Sequence, residues 1–170
     1  MKLGSRARFG IGKLFGLIYD IELNSSWNKL LQTVDSIMPI SVINLKKAKY
    51  IYHQIGMSLS FQVNIKPKRG NKLGTYFDMG IYGFYNYSKK FRYNLELDQL
   101  SKNTSITIKN IEYFNPFEYG VLLRLGYNKA TLFSKYRLSN LFNNKTNFYS
   151  IELPRFSFGI EFLFFQDTYE

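Results

Sequence analysis

Apolar side chains alternate with polar or small ones at a period of two residues along most of this chain, and that rhythm leaves few folds open. From Arg8 to Leu23 the odd positions read Phe9, Ile11, Lys13, Phe15, Leu17, Tyr19, Ile21 and Leu23, while the even positions read Arg8, Gly10, Gly12, Leu14, Gly16, Ile18, Asp20 and Glu22. Between Tyr52 and Ile65 the odd positions carry His53, Ile55, Met57, Leu59, Phe61, Val63 and Ile65 against Gln54, Gly56, Ser58, Ser60, Gln62 and Asn64. Leu73 to Tyr87 repeats the pattern, with the orientation of its mixed second face resting on Asp78 and Gly80. Phe117 to Tyr127, Thr131 to Leu138 and Arg155 to Phe165 complete a set of six readable strands. Successive strand residues point to opposite faces, so each segment presents one greasy side and one side that is small, polar or charged.

The character of that second side separates two architectures. A soluble sandwich also alternates, but its outer face is watered and rich in Lys, Glu and Thr. Here the second face is Gly, Ser, Gln and Asn with isolated charges of both signs. Asp20, Glu22, Asp78, Glu118 and Glu161 are expected to pair with Arg124, Lys135, Arg137 and Arg155 inside a narrow barrel, whose lumen side chains fill. The aromatic load, 14 Tyr and 16 Phe in 170 residues, suits strands. Tyr50, Tyr52, Tyr85, Tyr87, Tyr119 and Tyr127 are expected at strand ends as interfacial girdles.

Connections alternate in length. Lys66 to Lys72 and Asn128 to Lys129 are short; Asn24 to Lys49, Ser88 to Pro116 and Ser139 to Ser150 are long. Bacterial outer-membrane barrels have short periplasmic turns and long extracellular loops, which would leave the carboxyl end in the periplasm. Within the first long connection Ser26 is placed to cap a helix with Trp27, Leu30, Leu31, Val34 and Met38 on one side; within the second, Thr104 to Ile108 reads as a further short strand. The longest apolar run, Leu14 to Tyr19, falls far short of the roughly 20 residues a membrane helix needs. The amino end is basic and shows no apolar core followed by a cleavage site.

Cysteine is absent and His53 is the single histidine, which excludes thiolate chemistry and multi-histidine metal sites. No Gly-x-Ser-x-Gly elbow occurs, and Gly10-Ile11-Gly12 lies within a strand pattern without the third glycine of a phosphate loop. Neither an enzymatic role nor a cofactor is expected. The net charge of +11 suits nucleic acid or anionic head groups. A soluble basic β-protein binding nucleic acid would interleave aromatics with Lys and Arg on one face; here Phe and Tyr share a face with Ile, Leu and Met, which favours lipid over nucleic acid. Lys46-Lys47-Lys49 and Lys89-Lys90-Arg92, at the borders of long connections, are candidates for lipopolysaccharide phosphates.

Three stretches, Tyr76 to Phe84, Phe117 to Tyr127 and Lys135 to Leu141, together with the closing Phe156 to Phe164, resemble the porin-like outer-membrane β-barrel family common in Bacteroidetes, often called PorT-like barrels. The resemblance covers roughly residues 50 to 165. It implies residence in the outer membrane, contact with other envelope proteins, and eight strands after a signal peptide; a subgroup assists type IX protein secretion. The two strands beyond the six are expected from an upstream hairpin, or from Asn24 to Lys49 and Thr104 to Phe114. The expectation is therefore a single domain over residues 1–170, an all-β antiparallel up-and-down transmembrane barrel. Structural, surface-interaction and narrow-porin roles all fit such a barrel.

Overall fold

A computed structural model describes residues 2–30, 45–66, 74–96, 103–109, 114–142 and 154–162. All of the regular structure among them is strand: β1 (Lys2–Ile11), β2 (Phe15–Leu30), β3 (Leu45–Lys66), β4 (Thr75–Glu96), β5 (Asn103–Lys109), β6 (Phe117–Tyr127), β7 (Ala130–Arg137) and β8 (Phe156–Phe162). One antiparallel sheet runs β1-β2-β3-β4-β6-β7-β8, with β5 attached to β4. The sheet curls so that the even residues of β2 and their equivalents face inward.

The stretch from Arg8 to Leu23 is two strands, not one. The chain turns at Gly12-Lys13-Leu14, where Gly12 takes a left-handed φ of 72° that a side chain would resist. Ile11 then faces Phe15, and Lys2 faces Asn24. A three-residue loop pairs residues of equal parity, so the apolar alternation passes through the turn without a break in phase. Lys13, the lone polar residue on the odd face, is the turn itself.

Two further expectations change. Ser26 to Leu30 continues β2 as strand and pairs with Ala48 to Tyr52, so no helix begins there; Leu31, Val34 and Met38 lie outside the described residues. Among the described residues, the strands beyond the six come from the split at Gly12 and from β5. Thr104 to Ile108 does form a strand, pairing with Phe91 to Leu95 on the upper part of β4.

All short joins fall at one end of the sheet, which we call the turn end, and the long connections at the other, the loop end. Phe162 faces Ala130 beside the Asn128-Lys129 turn, so β8 finishes at the turn end. β6, with 11 residues, is about 36 Å long and, if tilted by about 45°, about 25 Å tall. β3 and β4, at 22 residues each, continue past this height at the loop end. A register shift between His53 and Gln54 marks the change, as an extra residue locally bends and twists a ladder.

Burial is inverted relative to a water-soluble sheet. Along β6 the burial alternates strictly: Leu122 and Arg124 are buried while Val121, Leu123 and Leu125 are exposed. Ile21, Met57, Ile81, Leu132 and Ile160 are exposed as well, whereas Asp20, Glu22, Gln54, Gln62 and Asp78 are buried. The apolar side is the outside. Aliphatic residues occupy its middle, flanked at the turn end by Phe9, Phe15, Phe61 and Tyr127 and at the loop end by Tyr85, Tyr87, Phe117 and Tyr119. Tyr50 and Tyr52 depart from the expected girdle. Tyr50 is buried against Phe91, 4.8 Å between ring centroids, and Tyr52 packs on Phe114, because both share the even parity of inward-facing Gln54 on β3 and so join an aromatic cluster at the loop end.

Candidate functional site

The curled sheet encloses its charges. Arg124, on β6 between Gly126 and Leu122 on the inner face, is 1% exposed and reaches Asp20 of β2 at 2.6 Å and Glu22 at 3.4 Å, with Glu161 of β8 3.8 Å away. Lys135 of β7 meets Glu22 at 3.1 Å and stands over the Phe84 ring, 4.6 Å from its centroid. Lys2 and Arg6 enter from β1: Lys2 pairs with Glu22 at 2.8 Å and with Glu161, while Arg6 holds Asp20 at 2.7 Å and Glu161 at 3.0 Å. Ser58 donates to Asp20 at 3.0 Å. Four cations and three carboxylates from five strands thus cross the interior at one level. Buried ions of this kind hold only when each is paired and hydrogen bonded.

Of the nine charged residues expected inside, Asp20, Glu22, Arg124, Lys135 and Glu161 belong to this group. Asp78 lies opposite Arg124 on one side and Gln62 on the other, is fully buried, and forms no well-aligned hydrogen bond with the protein. Glu118 sits higher, accepting from Gln54 at 2.8 Å and from Tyr82 at 3.4 Å. Arg137 is buried near it. Arg155 is outside the group: it is exposed and donates to Asn140 at 2.7 Å at the loop-end rim, because it precedes the first residue of β8. Lys2 and Arg6 were missed. They share parity with Arg8 on the inner face, and only an earlier start for the alternation would have exposed them.

Large residues share this interior because small ones face them. A Cβ on Gly126 would stand 1.9 Å from the ring of Tyr76, whose hydroxyl meets Thr131 at 2.6 Å. Gly126→Val is expected to destabilise by about 1–3 kcal/mol through overpacking, measured as a lowered urea midpoint, while Tyr127→Val on the outward neighbour leaves it nearly unchanged. The carboxylates should also rank. Asp20→Asn, which breaks pairs with Arg6 and Arg124, is expected to lower the midpoint clearly more than Asp78→Asn, which removes an ion without a hydrogen-bond partner; equal effects would contradict this assignment.

Toward the loop end the interior opens into a cavity of about 310 Å³ bordered by Asn24, Asn28, Tyr52, Glu118 and Arg137. Asn24 donates to Gln54 and Asn28 to Tyr52. Above it Tyr50, Phe91, Phe114 and Phe142 form the aromatic cluster, and Lys89 donates to the Phe114 carbonyl at 2.7 Å. The two basic clusters expected from sequence meet here: Lys49 faces Arg92, and Lys90 faces Ile51 on β3 and Lys109 on β5.

No family model, curated protein or solved structure matches this chain.

His53 lies on the outer side and stacks on Tyr87, ring centroids 6.1 Å apart. The interior cations and carboxylates pair with one another across β1, β2, β6, β7 and β8.

Proposed function

We propose that the chain is a small outer-membrane β-barrel protein whose lumen is closed at mid-height, serving as a scaffold or surface-interaction protein of the envelope. The observation that carries this reading is the inverted burial: residues such as Ile81, at 62% exposure, face outward while Arg124 is sealed inside. In water that arrangement would waste the hydrophobic effect, since burying apolar surface contributes about 25 cal/mol per Å². In a bilayer the same arrangement is the stable one, because acyl chains receive the apolar side and the strands between β1 and β8 are paired along both edges. Aliphatic residues in the middle with aromatics at both ends match the height of a hydrocarbon core. The resemblance to PorT-like barrels points the same way and adds a role among envelope proteins, type IX secretion included.

Above the wall, Lys49, Lys90, Arg92 and Lys109 on the adjoining strands β3, β4 and β5 suit the phosphates of anionic head groups, lipopolysaccharide among them. Like charges facing across a ladder repel, and an anion between Lys49 and Arg92 would relieve that. A nucleic-acid partner is disfavoured because Val121, Leu123 and Leu125 and their outward neighbours present no cation between aromatics.

Extraction and gel mobility test the reading. The protein is expected to need detergent for solubility and to migrate differently before and after boiling; a monodisperse detergent-free protein would overturn it. In planar bilayers, the charged group across the interior predicts no steady ohmic conductance, and a steady one would favour a narrow porin instead.

A further inference from the structure

A narrow barrel is normally filled by its own side chains, and toward the turn end this one is: Tyr76, Gln62, Asp78 and Thr131 are at most 1% exposed. Toward the loop end the inner faces of the same sheet enclose the cavity of about 310 Å³ instead. Its floor is aromatic. Gly56 faces Phe84 and Gly120 faces Tyr82 across their ladders, and these glycines make room for the rings. A Cβ on Gly56 would stand 2.2 Å from the Phe84 ring, and one on Gly120 2.8 Å from the Tyr82 hydroxyl. The two ring centroids are 5.3 Å apart, and the Lys135 ammonium stands over both, 4.6 Å from Phe84 and 5.2 Å from Tyr82. The wall above is polar and already held in place. Asn24 donates to Gln54 at 2.9 Å, and Gln54 donates to Asn86 at 2.9 Å and to Glu118 at 2.8 Å. These groups come from β2, β3, β4 and β6, which lie side by side in unbroken sequence with β7. Side chains fixed before a ligand arrives need no ordering when it binds.

We propose that this cavity binds a small acidic sugar, a single ring bearing hydroxyls and one carboxylate. The inference goes beyond the scaffold reading and stands on the interior alone; the membrane reading adds only that the ligand enters from outside the cell. Size limits the occupant, because about 310 Å³ is at the small end of ligand pockets, which span roughly 300–1,000 Å³. A sugar ring has apolar C–H faces and a polar edge. The faces suit the Tyr82 and Phe84 rings, and the hydroxyls suit Asn24, Ser26 and Asn28 on the β2 wall. Charge selects the acid. Glu118 is the one carboxylate among the described residues bordering the cavity, against Lys135, buried Arg137 and exposed Arg155. With Lys135 matched to Glu22, two guanidinium groups still face that one carboxylate. A planar guanidinium grips a carboxylate through two parallel hydrogen bonds, and Arg137 on β7 is placed beside the floor to do so. The amide-rich wall disfavours a fatty ligand, and the guanidinium groups disfavour a cation.

Trp27, the single tryptophan of the chain, borders the same cavity and reports on its occupancy. The full chain in phosphatidylcholine vesicles is titrated with sodium glucuronate, glucose and glucosamine, followed by calorimetry and by tryptophan emission. Glucuronate is expected to saturate one site and to bind about tenfold more tightly than glucose, as one charge-assisted contact provides; glucosamine should bind more weakly still. Arg137→Gln should remove the preference for glucuronate and leave glucose binding in place. Ser26→Tyr, which fills the cavity opposite Tyr52, should remove binding of both sugars, whereas Lys129→Gln, the loss of one cation at the turn end, should change neither. If Arg137→Gln fails to fold, the glucuronate-to-glucose ratio and Ser26→Tyr decide. Absence of saturable glucuronate binding by protein that keeps its fast-migrating unboiled band would overturn the proposal. So would equal affinity for glucuronate and glucose, full binding by Ser26→Tyr, or a loss in Lys129→Gln as large as in Arg137→Gln. Flotation of the same vesicles separates this claim from the membrane reading. Protein that floats but binds no glucuronate defeats only the sugar site, and protein that stays in solution yet binds it defeats only the membrane reading.

Discussion

Leu123→Arg is expected to destabilise the folded protein in a bilayer by about 2–4 kcal/mol, while Tyr127→Arg, four residues away on the same face, costs about 0–1 kcal/mol. Leu123 lies near the middle of β6, 42% exposed, between Met79 and Ser134 on the neighbouring strands. In hydrocarbon the guanidinium must thin the bilayer or snorkel, and the distance to the interface sets the cost. Tyr127 is already at the turn end, where a charge reaches the head groups. The depth profile carries the information. On a water-washed sheet both arginines would be near neutral and Leu123→Arg would improve solubility. Urea titration in vesicles, followed by the loss of the fast-migrating unboiled band, gives both values in one series. A flat profile along β6 would contradict a lipid-facing outer surface.

Arg124→Leu is expected to cost about 3–5 kcal/mol, the range for removing one partner from a buried ion network. The change leaves Asp20 with Arg6 alone, and Glu22 and Glu161 with Lys2 and the remaining cations. The bare loss of a charge is not the whole effect. The guanidinium also fills the interior beside Asp20, Glu22 and Ser58, so its removal leaves a void. Arg124→Lys keeps the charge and loses the guanidinium whose Nη2 reaches both Asp20 and Glu22; it should recover only part of the stability. As a reference, Arg155→Ala at the exposed rim should move the midpoint by less than about 1 kcal/mol. The same assay reads all three. If Arg124→Leu behaved like Arg155→Ala, the charged group would not be what holds the interior.

The strands were legible wherever an apolar residue recurred at every second position, and for Phe117 to Tyr127 the reading and the structure agree to the residue. Failures have specific causes. The hairpin at Gly12 was hidden because a loop of three residues preserves parity, so the alternation of β1 flows into that of β2. Trp27, Leu30 and Leu31 imitate helical spacing, yet at least Trp27 and Leu30 are strand, because pairing with Ile51 and Ala48 outweighs a weak local preference. Tyr50 and Tyr52 share the even parity of Gln54 and so belong to the inner face; the girdle expectation followed residue type and strand-end position where the alternation of β3 already pointed inward. The charged interior was legible in part, since Asp20, Glu22, Arg124, Lys135 and Glu161 all sit among small residues on the even or odd face of their strands. Which of them meet is a matter of how far each strand is staggered against the next. That stagger is set by turns and bulges, and so Lys2 and Arg6 became visible only once β1 was placed.

The central claim concerns which medium the outward Ile, Leu, Val and Phe side chains meet, and nitroxide spin labels read that medium directly. Single cysteines placed in turn at Val121, Leu122, Leu123 and Leu125 of the cysteine-free chain, labelled and reconstituted in phospholipid vesicles, are compared for collision with oxygen and with a water-soluble nickel complex. The labels at 121, 123 and 125 should be mobile, oxygen-rich and shielded from nickel, and the label at 122 should be immobilised and reached by neither. Nickel access at the odd positions, or labels frozen there by protein packing, would contradict the account.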